Sequence, residues 1–315
     1  MGEFPARIAA QDFMTPPEFA HLRLACEGAA RIGGARLSLE ARAHGTHLTR
    51  LYELTPIRVL PFQFGPDEPT LVYLVNSTNG IMDGDAQQIE VHAGRATRTV
   101  ITGQSATRIH PCSNGFCTQQ WKVTVADDAI LVVLPGPAIP FASCRYYQRA
   151  EVELGRNSRL IWGDIWFAGR YARGIASERF RFDTIVQELL VKRGGQLVYR
   201  DRFCWRGPWK ETVAAWHFGG HNAVGSLFAT GGESLETLEQ NAQSKSAILH
   251  TASGDSIRRW AGASEMVIRD VGEYALRLAA HFAGNPASAN TPWLIAGHRL
   301  GPTHWFRPTI AAIMP

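Results

Sequence analysis

The sequence predicts a mainly β fold, in which a stack of short strands is followed by a small helical part near the C-terminus. Short apolar or alternating segments recur between about residues 70 and 205, and turn-forming residues separate them. Helical periodicity becomes clear only late in the chain. Because long helices do not alternate with the strand segments, a parallel α/β sheet is not expected.

Four strand–turn–strand units define this β-rich region. In the first unit, Ile89-Glu90-Val91 leads through Ala93-Gly94 to Thr99-Val100-Ile101. The turns contain Gly, Asp or Asn, which tolerate the left-handed backbone of tight turns. The units recur at uneven intervals, which excludes a regular solenoid and leaves a β-sandwich or an irregular β-helix. The other three units cover residues 123–133, 152–162 and 189–199.

Two extended segments are predicted before these units. Residues 36–42 alternate between apolar and polar side chains, and residues 55–62 read as a strand with a proline near each end. We therefore treat residues 1–315 as one domain with a β-rich core at about 36–230.

The helical part is predicted at about residues 233–284. A first amphipathic segment covers 233–243. Asp270-Val271-Gly272-Glu273 resembles a capping box with Asp270 as N-cap, and apolar residues then follow at helical spacing as far as Phe282. Gly284 and the proline two residues later end this helix. The aromatic tail at 285–315 is predicted to be loop-like or extended.

The composition does not favour binding to nucleic acid or to membranes. The 315 residues carry 32 Lys and Arg against 28 Asp and Glu, a net charge of +4, without a long basic run. The first residues lack a signal-peptide pattern, and apolar runs stay well short of the roughly 18 residues of a membrane span. Five cysteines at irregular spacing favour reduced thiols. We therefore expect a cytoplasmic protein.

Motifs of common enzymes are missing from the sequence. It contains neither a Gly-x-Ser-x-Gly elbow nor a Ser-x-x-Lys pair, and it has neither a phosphate loop nor a dinucleotide fingerprint. His217 and His221 are four residues apart, but Gly219 and Gly220 between them disfavour a metal-binding helix. The sequence therefore predicts a protein that is not an enzyme.

His110 and Cys112, with Cys117 nearby, form the best candidate cluster of metal ligands. Imidazole and thiolate at short spacing suit zinc, nickel or copper, and Gly115 would let the loop fold back. A closed structural site needs four ligands. The sequence leaves open a tight site, a transient metal contact, or an ordinary loop with a buried thiol.

Carboxylates within apolar strands form the second candidate group. Asp164 lies in a strongly apolar segment, and burying its charge without a partner would be costly. Arg170 or Arg173 could supply that partner, as could a backbone donor, water or a metal cation. Asp201 poses the same question less sharply, and Asp83-Gly84-Asp85 is also consistent with a simple turn.

Six short segments resemble, in the same order, segments of the urease accessory protein family UreD, also called UreH. The first, Asn79-Gly80-Ile81-Met82-Asp83-Gly84-Asp85, resembles that family's Gly-Gly-Leu-Val-Gly-Gly-Asp. The six lie within residues 71–225, about half of the chain. Departures at Asp83, Gly103, Gly136 and His110-Pro111-Cys112 indicate a divergent member. The other segments are 102–108, 134–141, 160–165 with 169–170, 177–180, and 219–221 with 224–225.

The resemblance implies a scaffold with an irregular β-helical fold and a small helical part. Such a protein would bind apo-urease on one side and UreF on the other, with the GTPase UreG attached through UreF. Nickel would pass through its interior to the urease active site, so a tightly bound cofactor is not expected. Alternatives are a paralogous scaffold for another metallohydrolase, or a β-rich hydrolase or binding module with a cryptic pocket.

The same resemblance suggests roles for individual residues. Asp85, Asp164 and Asp201 could line a water-filled passage, because oxygen ligands hold nickel less tightly than thiolate or imidazole. His110 and Cys112 are candidates for transient contacts with the metal. Three further residues match family segments and are assigned a structural or partner-binding role: Arg170, Glu178 and His221.

Overall fold

In the computed structural model, the residues described are 7–24, 31–63, 65, 68–171, 178–231 and 244–284. Within these ranges lie two α-helices, α1 (Glu211–Phe218) and α2 (Ser264–Phe282). Seventeen strands account for most of the rest. The strands are β1 (Ile32–Arg42), β2 (Gly45–Leu54), β3 (Ile57–Phe62), β4 (Thr70–Asn76), β5 (Ala86–Ala93), β6 (Arg98–Gly103), β7 (Thr107–Ile109), β8 (Cys117–Val125), β9 (Ile130–Leu134), β10 (Pro137–Pro140), β11 (Arg145–Leu154), β12 (Arg159–Phe167), β13 (Thr184–Arg193), β14 (Gln196–Arg206), β15 (Ala223–Ala229), β16 (Lys245–His250) and β17 (Ser256–Gly262).

The strands form two sheets. Sheet A has the order β14-β13-β11-β8-β5-β1-β2. Sheet B has the order β16-β17-β15-β12-β9-β6-β4-β3, with β10 beside β12 and β7 beside β10. The predicted mainly β class with a small helical part near the C-terminus is therefore confirmed.

In the middle of the described chain, the strands from β4 to β13 alternate between the sheets, apart from the short strands β7 and β10, which both join sheet B. Neighbours β5, β8, β11 and β13 pair in parallel in sheet A, as do β4, β6, β9 and β12 in sheet B. Strand β1 also pairs in parallel with β5. Antiparallel pairs lie further out, for example β1 with β2, β13 with β14 and β12 with β15. Because the alternation is confined to the middle, a solenoid-like coil for the whole protein stays a prediction.

Three of the four predicted turns are corners that carry the chain from sheet A to sheet B, and only the fourth is a hairpin. Each corner contains one non-glycine residue with a left-handed backbone: Ala96, Asp128 and Asn157, with φ of 57°, 61° and 54°. The corners also bond to one another, since Ala96 N donates to the Asp127 carbonyl at 3.0 Å. The hairpin, at Gly194-Gly195, joins β13 to β14.

Apolar residues fill the space between the sheets and also the outer face of sheet B. Trp121 and Trp162 meet edge to face between the sheets, with ring centroids 5.4 Å apart. On the outer face, α2 lies close to the backbone of β12 and β15, where Val271 approaches Gly163 and Gly225. On the outer face of sheet A, Phe19 of the N-terminal segment packs on Phe116.

The helical part differs from its prediction in three ways. Helix α2 begins at Ser264 rather than near Asp270. Asp270 is not its N-cap, because this buried carboxylate lies inside the helix and accepts hydrogen bonds from Ser244 N and Oγ at 2.8 and 2.5 Å. Residues 245–262 contain β16 and β17 rather than helix. The predicted helix at 233–243 and the tail at 285–315 lie outside the described residues.

Candidate functional site

A row of four glutamines crosses sheet A in register. Gln87, Gln119, Gln148 and Gln187 are neighbours on the parallel strands β5, β8, β11 and β13. Gln87, Gln148 and Gln187 are buried and Gln119 is half-buried. The sequence analysis missed this row, although the pattern Gln-x-apolar-x-Val occurs once in each of the four strands and would have revealed it.

Asp164 on β12 of sheet B is bonded to this row. Its Oδ1 accepts from Gln148 Nε2 at 2.6 Å, and its Oδ2 accepts from Gln187 Nε2 at 2.6 Å and from Trp162 Nε1 at 2.8 Å. All three donors are neutral. Burial raises the pKa of Asp164 to about 6, and the nearby charge of Asp201 also raises it.

Arg170 does not balance the charge of Asp164. It forms an ion pair with Glu178, with 2.8 Å between Arg170 Nε and Glu178 Oε2, and its guanidinium lies over the Phe141 ring. Glu178 also accepts from the backbone N–H of Ala142 at 3.2 Å. This pair therefore connects the segment before β12 with the segment after it. Arg173, the other partner considered, lies outside the described residues.

Tryptophan side chains orient the glutamine amides. Trp166 Nε1 donates to Gln187 Oε1 at 2.7 Å, and Trp121 Nε1 donates to Gln119 Oε1 at 3.1 Å. Gln119 Nε2 in turn donates to Gln87 Oε1 at 3.0 Å. Because an indole can only donate, the side-chain oxygens of Gln187 and Gln119 face the tryptophans, and their amide nitrogens donate to Asp164 and to Gln87. The glutamine row and Asp164 together form an ordered polar layer between the sheets.

The polar layer runs between two cavities. The larger cavity, about 550 Å³, is lined by Gln187, Asp201 and several aromatic side chains. The smaller cavity, about 120 Å³, is lined by Gln87 and Gln119. Asp201 forms an ion pair with Arg259 at 2.7 Å, which links β14 of sheet A to β17 of sheet B. Asp201 thus lies at the larger cavity and close enough to the buried Asp164 for its charge to raise the pKa of that carboxyl.

Asp85 lies elsewhere and holds a turn. Its Oδ1 accepts from Arg31 N at 2.7 Å, and its Oδ2 accepts from Met82 N at 2.9 Å. Burial raises the pKa of Asp85. Neighbouring Asp83 accepts from three backbone N–H groups of residues 113–115 at 2.8 to 3.0 Å. These contacts agree with the interpretation of residues 83–85 as a turn.

His110 and Cys112 point to different partners. His110 Nε2 lies 3.1 Å from the Asn79 carbonyl oxygen. Cys112 is buried next to Cys117, and a hydrogen bond from Cys117 lowers the pKa of Cys112, while burial raises the pKa of Cys117. Within the ranges that the structure describes, His, Cys, Asp and Glu side chains do not converge in threes to hold a metal ion.

His221 lies beyond the end of helix α1. That helix ends at Phe218, and Gly219 follows with a left-handed φ of 59°. The expectation that Gly219 and Gly220 keep His217 and His221 off one helix is confirmed. His221 Nε2 is buried without a hydrogen-bond partner among the described residues.

Comparisons with a family profile and with individual proteins point to the same protein family. The profile of a family described as UreD urease accessory protein matches residues 31–294. A urease accessory protein UreD of Synechococcus sp. (strain JA-2-3B'a(2-13)) is 30% identical over 267 residues, covering 79% of this chain and 96% of that protein. UreD 2 of Synechococcus sp. (strain JA-3-3Ab) is 32% identical, covering 61% of this chain and 73% of its own. UreD of Deinococcus radiodurans is 32% identical, covering 65% of this chain and 72% of that protein.

In the described part of the chain, neither helix has the length and apolar character needed to cross a membrane.

Proposed function

Because the chain belongs to the UreD family of urease accessory proteins, we propose that it is a maturation scaffold that passes nickel through its interior to the urease active site. It binds apo-urease and UreF, with UreG attached through UreF, and it acts in the cytoplasm. Nickel is its cargo rather than a resident cofactor. In this role the protein has no catalytic activity of its own.

The observation that carries this proposal is the buried carboxylate of Asp164. It is surrounded by neutral donors, and the described residues give it no cationic partner. A buried carboxylate without a counter-charge is costly, and a divalent cation passing through would relieve that cost. Carboxylate and amide oxygens bind nickel more weakly than thiolate or imidazole. Weak binding suits a site that must release its metal.

Two of the residues predicted to guide nickel support this route better than the others. Asp164 lies in the polar layer and Asp201 lines the larger cavity. Both oxygens of Asp85 already accept backbone hydrogen bonds. A role for Asp85, His110 or Cys112 in metal transit stays a prediction.

The variant Asp164→Asn tests the proposal because it removes the charge with little change of shape. The new amide oxygen can accept from Trp162 and Gln187, and its nitrogen can donate to Gln148 once the Gln148 amide turns over. We expect a folded protein that still binds UreF and urease. The nickel content of urease, measured at matched amounts of complex, should fall several-fold, and further in Asp164→Asn/Asp201→Asn. Asp164→Glu, which keeps the charge, should be milder.

Asp270→Asn is the matched control, since Asp270 is also buried and hydrogen-bonded but does not line either cavity. It should leave nickel loading unchanged. Normal nickel loading of urease with both Asp164→Asn and the double variant would overturn the proposed passage of nickel past Asp164. If the native protein and its variants all bind UreF equally well but never bind urease, that result would instead favour another client enzyme.

A further inference from the structure

Two buried thiols lie close together outside the polar layer. Cys112 Sγ donates to the Arg145 carbonyl oxygen at 3.4 Å, and Cys117 Sγ donates to the same oxygen at 3.5 Å. Two sulfur atoms that share one acceptor are neighbours. The proposed nickel route through Asp164 does not use them.

The backbone around this thiol pair is held in place. Cys112 N donates to the Ser143 carbonyl at 3.1 Å, and Cys117 begins β8, paired with Tyr146 of β11. Asp83 holds the intervening loop through the N–H groups of residues 113–115. The chain has therefore already lost most of the conformational entropy that closing this short ring would cost.

We propose that Cys112 and Cys117 are a redox-active pair that forms a reversible disulfide with a peroxide-class oxidant. With hydrogen peroxide, the Cys112 thiol loses its proton to solvent and its thiolate attacks one peroxide oxygen. The O–O bond breaks, Cys112 becomes a sulfenic acid, and the leaving hydroxide takes up a proton from solvent to become water. Cys117 then attacks the Cys112 sulfur, the S–OH bond breaks, and water leaves. The two thiols lose two electrons in total, and one peroxide is reduced to two waters.

The order of attack follows from exposure. Cys112 is next to the exposed loop residues Ser113 and Asn114 and is itself 3% exposed, whereas Cys117 is fully buried. A small oxidant therefore reaches Cys112 before Cys117. Cys144 is a third buried thiol in the same apolar cluster, but its sulfur is not bonded to the Arg145 carbonyl.

Peptide mapping of the full chain tests the proposal. The native protein is treated with hydrogen peroxide, it is then unfolded in denaturant while free thiols are blocked with N-ethylmaleimide, and it is digested with trypsin. Cleavage after Arg108 and Lys122 leaves both cysteines in one peptide, residues 109–122. We expect the major form of this peptide to be lighter by two hydrogens and unblocked, and to become blocked when dithiothreitol precedes the blocking step.

Variants identify the partner of each sulfur. In Cys117→Ser, Cys112 should stop at the sulfenic acid, which dimedone traps. In Cys144→Ser the disulfide should form as in the native protein. Oxidation that links Cys112 to another cysteine would overturn the proposal. So would a fully blocked 109–122 peptide under conditions that oxidise the more exposed Cys204. Both of these contrary outcomes are measured on the unsubstituted protein, so they do not depend on whether a variant folds.

Discussion

Asp164 brings a negative charge into a layer whose other polar groups are neutral amides and indoles. Three hydrogen bonds favour the charged form, and burial disfavours it. Burial is the stronger effect, since the pKa rises from 3.8 to about 6. The folded protein therefore holds a proton on Asp164 across a range of pH in which the unfolded chain has released it.

This difference predicts a pH-dependent stability. Because the folded state binds the extra proton, the free energy of unfolding should fall as pH rises from about 4 to about 6. The contribution of this one group is about 3 kcal/mol. Asp164→Asn should lack this contribution. The free energy of unfolding of the variant minus that of the native protein should therefore rise by about 3 kcal/mol as pH rises from about 4 to about 6. Urea unfolding at several pH values measures this, and parallel curves for the two proteins would contradict it.

The sequence predicts that Asp164 needs a partner, but it does not predict that the partners are neutral amide and indole donors. Its donors Gln148 and Gln187 lie 16 and 23 residues away along the chain. Only the register of three strands in two sheets brings them to the carboxylate. Charge pairing with Arg170, the alternative nearest in sequence, fails because Glu178 binds that guanidinium.

At the scale of elements, helix α2 depends on two glycines in sheet B. A Cβ at Gly225 would lie 2.7 Å from Val271 Cγ2 and 3.0 Å from Val267 Cγ1, and one at Gly163 would lie 3.3 Å from Val271 Cγ1. These glycines let the helix approach the sheet closely. Gly272 on the helix itself has open space around its missing Cβ.

Two alanine substitutions should therefore have opposite effects. Gly225→Ala should push α2 away from β15 and lower the free energy of unfolding by about 1–3 kcal/mol. Gly272→Ala should raise it by about 1 kcal/mol, because alanine favours the helix. Chemical denaturation of both variants measures the difference. Equal effects would mean that α2 does not depend on close approach at Gly225.

The elements themselves were largely predictable, whereas their connections were not. Apolar alternation correctly indicated the strands of the four units, and the apolar spacing indicated most of α2. A tight turn containing Gly, Asp or Asn is compatible with both a hairpin and a corner, however. What separates the corner at Asp128 from the hairpin at Gly194 is the sheet that the next strand joins, which is a tertiary choice.

Over the whole molecule, exposed apolar side chains concentrate at the two lateral ends of the sheet pair. Leu60 and Phe62 of edge strand β3 lie at one end. Leu249 of edge strand β16 lies at the other, where Trp216 of α1 is 85% exposed beside His217, which lines the larger cavity. Exposed aromatic residues of this kind are enriched at protein interfaces.

If the two ends serve two partners, substitutions should separate them. Trp216→Ser should abolish co-purification with either UreF or apo-urease and keep the other. Phe62→Ser should show the reverse preference. Both side chains are exposed, so thermal stability should change little. Loss of both partners in each variant, or of neither, would contradict separate interfaces.

The parallel pairing of sheet A also determines when the interior of the protein can form. Neighbouring glutamines of the row are about 30 to 40 residues apart in the chain. Contacts at such separations close late and slow the folding of β proteins to the millisecond-to-second range. During synthesis, β12 emerges before β13, so Asp164 must stay hydrated and ionised until Gln187 arrives. The polar layer therefore cannot be completed before β13 has been synthesised, and a chain interrupted before β13 leaves the apolar face of β12 open to aggregation.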